Sequence, residues 1–181
     1  MNLAAQVHRL EQAFVHIQQA RMQGLPFLNP ALHVEGVGFV PWQVGVLGVL
    51  ITPWFMNLTL LPGNANWGIL KVGAKSTHAF ASGCYEFIVG HEPVVGFHQM
   101  CSLFSPVFEF VDHAAAVATA TAVMQCLMDG ANREQLGPGP SLSGTAATHA
   151  AAASGPMLDD RLARPLSRRA LLHLDPSDTQ A

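Results

Sequence analysis

From Pro41 to Gly63 the chain carries no ionisable side chain. Two proline–tryptophan pairs, Pro41-Trp42 and Pro53-Trp54, bracket an apolar run, and a second run from Phe55 to Leu61 follows the inner pair. Such a stretch must be buried in a core, inserted in a bilayer or kept for another protein, because contiguous apolar surface left in water is unfavourable. The bilayer reading fails on local grounds. Val44 to Leu61 is about 18 residues, near the lower end of the roughly 17–25 that a helical span needs. Pro53 interrupts it, Asn57 follows, Gly45 and Gly48 weaken a helix, and neither end carries Lys or Arg. Two buried strands joined at Thr52-Pro53-Trp54 suit the same residues, so no stable membrane insertion is expected.

A chain of 181 residues can build one good core around these strands. Half of its residues are hydrophobic and only 12% are charged, about half the usual charged fraction of roughly 25%. A compact domain so poor in charge leaves apolar groups on its surface, which points to a binding face. The formal net charge of −3 offers no basic field for nucleic acid, and that class of partner is excluded. Cys84, Cys101 and Cys126 are widely spaced and odd in number, as in a protein with reduced thiols. The first residues lack the basic and apolar regions of a secretory signal. Both features predict a cytoplasmic location.

Leu3, Val7, Leu10, Phe14 and Ile17 recur at spacings of four and three, which predicts an amphipathic helix over 3–21, ended by Gly24 and Pro26. Residues 32–39 alternate as a strand, and Gly36 and Gly38 predict a bulge or a close backbone approach. Residues 44–51 and 55–61 read as central strands covered on both faces. A further strand is expected over 67–72, followed by a polar loop containing Lys71 and Lys75. Residues 84–89 and 94–101 read as a hairpin around His91-Glu92-Pro93, so the middle of the chain reads as an antiparallel meander. Pro106 is placed to start a helix or turn, and Asp112 to cap an alanine-rich helix running to about Met128.

The expected fold is therefore α+β. An antiparallel β-sheet of about five or six strands is flanked by N-terminal and C-terminal helices and followed by a flexible C-terminal tail. The boundaries are a single domain over 1–133, an Ala/Gly/Pro-rich linker over 134–160, and a basic tail with a short helix over 161–181.

Catalytic signals are weak. The chain has nine histidines, but His33, His78, His91, His98 and His113 fall in no compact ligand pattern. His98 and Cys101, three apart on an extended strand, point to opposite faces. No glycine-rich phosphate loop occurs, and Glu86, Glu109 and Asp112 are isolated carboxylates explained by capping and solvation. No catalytic, cofactor-binding or metal-binding residue is expected.

Asn29-Pro30-Ala31-Leu32, Val37-Gly38-Phe39, the block from Leu47 to Gly63 and Cys101-Ser102-Leu103-Phe104-Ser105-Pro106 together resemble the HybE/HupJ-type family of [NiFe]-hydrogenase assembly chaperones over roughly residues 25–130. The resemblance implies a cytoplasmic accessory protein rather than an enzyme. Its client would be the small-subunit precursor, with the large subunit as a further partner, held back from premature twin-arginine export while metal clusters are installed. Some members are joined to a rubredoxin with paired C-x-x-C ligands; this chain has none, so no iron site of its own is implied. Trp54, Phe55, Met56 and Asn57, with Cys101, Phe104 and Pro106, are the residues the resemblance assigns to the partner-binding surface, and the Trp42 turn is added from its apolar setting. In the tail, Ser167-Arg168-Arg169-Ala170-Leu171-Leu172 resembles the core of a twin-arginine signal, with Ser167, Arg168, Arg169, Leu171 and Leu172 as a self-blocking mimic of the client. The alternative function is a cysteine-dependent or metal-transferring maturation enzyme, with Cys101 as the residue that discriminates the two.

Overall fold

The computed structural model describes residues 2–43, 45–63, 67 and 70–129. The expected linker, the basic tail and its arginine pair lie outside the described residues.

Helix α1 spans Leu3–Ile17, and the chain continues to Met22 with a wider final turn over Gln18–Met22. The side chain of Asn2 caps its start by accepting from the Ala4 amide at 3.2 Å. Strands β1 (Glu35–Trp42), β2 (Gly45–Ile51) and β3 (Met56–Pro62) follow as two hairpins. Strands β4 (Lys75–Phe80), β5 (Gly83–Glu92) and β6 (Gly96–Phe104) form two more, and α2 (His113–Met128) closes the domain behind its Asp112 cap. The six strands make one antiparallel sheet in the order β1-β2-β3-β6-β5-β4.

Two expectations need correction. Among the described residues of 67–72, Trp67, Leu70 and Lys71 lie outside any strand and Val72 begins a turn, in place of the expected strand. The strand is instead Lys75–Phe80, read from sequence as loop because Lys75, Ser76, Thr77 and His78 are polar. That polarity fits its place at the sheet edge, where one side of a strand meets water. Nor is the sheet a plain meander. The connection from β3 runs to the far edge, β4, β5 and β6 come back in sequence, and β6 fills the place beside β3.

Every residue of β2 is buried, as an ion-free strand with helices on both faces requires. On one face, Leu10, Ala13 and Phe14 of α1 pack on Val46, Leu50 and Leu61. On the other, Ala116, Ala120, Val123, Met124 and Leu127 of α2 are buried, and the two alanines let the helix lie close to β1 and β2.

The glycines expected to mark a bulge do so. The register moves from Val37↔Val49 to Val40↔Leu47, leaving Gly38 and Phe39 opposite Gly48, with Gly38 at φ +65°. The extra residue inverts the facing of the strand beyond it. Phe39 joins the α1-side core, its ring over Gly48 where an added Cβ would sit 2.4 Å from Cγ. Trp42 accordingly turns to the opposite face, where it stacks on Phe80 with ring centroids 4.6 Å apart.

Candidate functional site

The two tryptophan turns lie at opposite ends of β2, about 20 Å apart at roughly 3.3 Å per residue, and do not form one surface. Trp42 sits edge-on to His78 at 5.5 Å in an aromatic cluster with Phe80 and Phe87. Trp54 is half-buried beside Phe55, whose ring meets Phe14 of α1 at 5.8 Å.

The other sequence-derived residues divide by burial. Met56, Asn57, Cys101 and Phe104 are buried, whereas Pro106 is exposed. Met56 and Cys101 face the α2 side of the sheet, Met56 opposite Ile51 and Cys101 opposite Leu58. Asn57 faces α1, its amide 3.7 Å from the Met100 sulfur and its Oδ1 without a hydrogen-bond partner among the described residues. Phe104 packs edge-on against Phe110 at 5.2 Å.

The tip of the β2–β3 hairpin is fixed by Thr52, whose hydroxyl accepts from the Phe55 amide at 2.9 Å and donates to the Phe55 carbonyl at 2.9 Å. Asn29 gathers the neighbouring loops around this tip. Its backbone amide donates to Pro53 at 2.7 Å, and its buried side-chain amide donates to Val107 at 3.0 Å and Phe110 at 2.8 Å. The segment carrying Leu25 and Phe27 is thereby held with the hairpin tip and the segment after β6.

In that last segment Val107 and Phe110 point inward, so Phe108, Glu109, Val111 and Asp112 point out. Phe108 is 56% exposed, Val111 83% and Phe27 40%. Large apolar groups in water next to two carboxylates form an adhesive, acid-flanked surface. The sequence-derived set includes Trp54 and Phe55 but not Phe27, Phe108 and Val111. Asn29 lies in the Asn29-Pro30-Ala31-Leu32 motif, yet its neighbours do not encode contacts made 78 and 81 positions away.

A polar cluster also lies at this end of the sheet. His33, Glu35 and His113 each bring one ligand-type atom within 4.8 Å of the others. His113 is far from the other two along the chain, and the three form no compact sequence pattern.

This helix-flanked, six-stranded antiparallel sheet shares its fold with a solved HybE structure. The solution structure of HybE from Escherichia coli superposes with a TM-score of 0.58 over 86% of this chain and 93% of that one, at 22% identity. The model of the family described as "[NiFe]-hydrogenase assembly, chaperone, HybE" matches residues 5–174. The chain belongs to this family of hydrogenase assembly chaperones.

Among its relatives, Protein HoxT of Cupriavidus necator is 44% identical over 133 residues, covering 67% of this chain and 74% of HoxT. The hydrogenase expression/formation protein HupJ of Bradyrhizobium diazoefficiens is 39% identical over 126 residues, covering 70% and 73%. The probable rubredoxin HupJ of Rhodobacter capsulatus is 40% identical over 132 residues, which cover 72% of this chain but only 48% of that protein. No described helix is long and apolar enough to cross a membrane.

Proposed function

We propose that this chain acts in the cytoplasm as a non-enzymatic holding chaperone for the hydrogenase small-subunit precursor. It binds the precursor's twin-arginine segment and delays export until the clusters are in place, with the large subunit as a second partner. The observation that carries this reading is that Phe108, Glu109, Val111 and Asp112 point outward on the segment that Asn29 holds by its bonds to Val107 and Phe110. Apolar groups with adjacent carboxylates complement a peptide in which paired arginines precede an apolar run.

Burial of Cys101 also favours a holding role over a cysteine-dependent enzyme, because a nucleophilic thiolate must be reached by its substrate. We extend the same recognition to the Ser167-Arg168-Arg169-Ala170-Leu171-Leu172 segment as a competitor for the client signal.

The test is titration of a small-subunit signal peptide into the full chain, with Phe108→Ser and Val111→Ser as surface variants. Each should weaken binding about tenfold, as loss of an apolar anchor does, without lowering thermal stability. The Cys101→Ser protein should retain client binding and maturation. Unchanged affinity in both surface variants would remove the apolar end from the mechanism, and lost maturation with intact binding in Cys101→Ser would favour the enzyme.

A further inference from the structure

We propose that His33, Glu35 and His113 form a binding site for a divalent first-row transition-metal ion. The Nε2 atoms of both imidazoles and one carboxylate oxygen of Glu35 would be its ligands. Glu35 begins β1, His33 lies two residues before it, and His113 opens α2. The fold brings them together at the end of the sheet that carries the Asn29 clasp. His113 Nε2 is 2.7 Å from Glu35 Oε2, His33 Nε2 is 3.5 Å from that same oxygen, and the rings stack with centroids 3.4 Å apart at 24°. Two imidazoles thus present the same nitrogen to one carboxylate.

Two imidazoles and a carboxylate are the donor set of zinc and of the neighbouring late transition metals, and too rich in nitrogen for magnesium or calcium. Bonds of about 2.0–2.2 Å to each donor place the ligand atoms about 3–3.5 Å apart around an ion. The His113–Glu35 contact is closer than that, His33 Nε2 lies at its outer edge, and the rings are more nearly parallel than a coordinated pair. His33 supplies the adjustment. Its side chain is 67% exposed, against 16% for that of His113, so His33 can swing out of the stack while His113 stays fixed.

The proton inventory is consistent. In the contact with Glu35, His113 carries its proton on Nε2, and its Nδ1 receives the His33 backbone amide across 3.4 Å. Coordination takes the Nε2 lone pair and moves that proton to Nδ1, which gives up this long contact. The positive end of the α2 dipole opposes a cation here. The carboxylates of Glu35 and of Asp112 at the helix cap offset it. A bound ion would cross-link β1 to the start of α2, next to the segment carrying Phe108 and Val111.

The test is a competition titration of Zn²⁺ against a chromophoric chelator, using the full chain stripped of metal, with thermal denaturation in parallel. One saturable site is expected, and Zn²⁺ should raise the melting temperature. His33→Ala and Glu35→Gln should each weaken binding by about tenfold or more, while His16→Ala should not. Circular dichroism of His33→Ala, whose replaced side chain is largely exposed, checks that the fold persists. Absence of saturable binding up to roughly 100 µM Zn²⁺, or binding equal to wild type in both ligand variants, would overturn the proposal.

Discussion

The side-chain amide of Asn29 donates to the Phe110 carbonyl over 2.8 Å, joining positions 81 apart in the chain. A second bond to Val107 comes from the same nitrogen, and both are buried. Removing the donor takes one bond from each of two buried carbonyls, of which Val107 keeps only a 3.4 Å bond from the Phe110 amide, and this costs about 1–3 kcal/mol. Asn29→Ala should therefore lower stability by that amount in urea denaturation. Asn29→Asp, which accepts but cannot donate, should do no better, whereas a variant as stable as wild type would show that the clasp contributes little.

Thr59 presents the opposite case. It is fully buried on β3, and its hydroxyl has no hydrogen-bond partner among the described residues. Thr59→Val keeps the shape and removes a desolvated polar group, so the protein should gain about 1 kcal/mol. Calorimetry would detect the gain as a higher melting temperature.

His98 should make stability fall with acid. Burial lowers its pKa from the ordinary 6.5, only partly offset by its bond to the Gly96 carbonyl and by the charge of Glu92. The folded state therefore holds the ring neutral over a range in which the unfolded chain takes up a proton. Stability is lost as pH falls below 6.5, and the loss levels off once pH drops below the folded value. Melting temperatures of wild type and His98→Gln across this range should converge on acidification, since the remaining histidines titrate in both.

Truncation at Gly155 should raise affinity for a client signal peptide if the arginine pair at Arg168 and Arg169 competes for the same site. A competitor carried on the same chain acts at a raised local concentration. Arg168→Gln with Arg169→Gln in the intact chain should reproduce the gain. Affinities equal to wild type in both proteins would discard self-blocking.

The legible parts of the fold were those whose signal is local. The α1 stripe, the glycine bulge before Phe39 and the Asp112 cap each lie within a few residues of the feature they create, and each is found where expected. Strand β4 was misread because a polar edge strand has the composition of a loop. At the candidate site, Trp54 and Phe55 stood out for their apolar surroundings. Phe108 did not, because its exposure follows from Val107 and Phe110 turning inward beneath Asn29.

By itself the sequence determined that the two apolar runs within Pro41–Gly63 would pair as strands of the sheet, since ion-free runs interrupted by proline and glycine suit buried strands better than a membrane helix. It also carried family membership, as motifs spread along one domain. The tertiary structure decided which apolar residues remain in water and which titratable groups meet. The bulge sends Trp42 away from Trp54, the long connection after β3 lets β6 take the place beside it, and closure of α2 on β1 brings His113 to Glu35. Such pairings depend on contacts between distant segments, and no window of neighbouring residues encodes them.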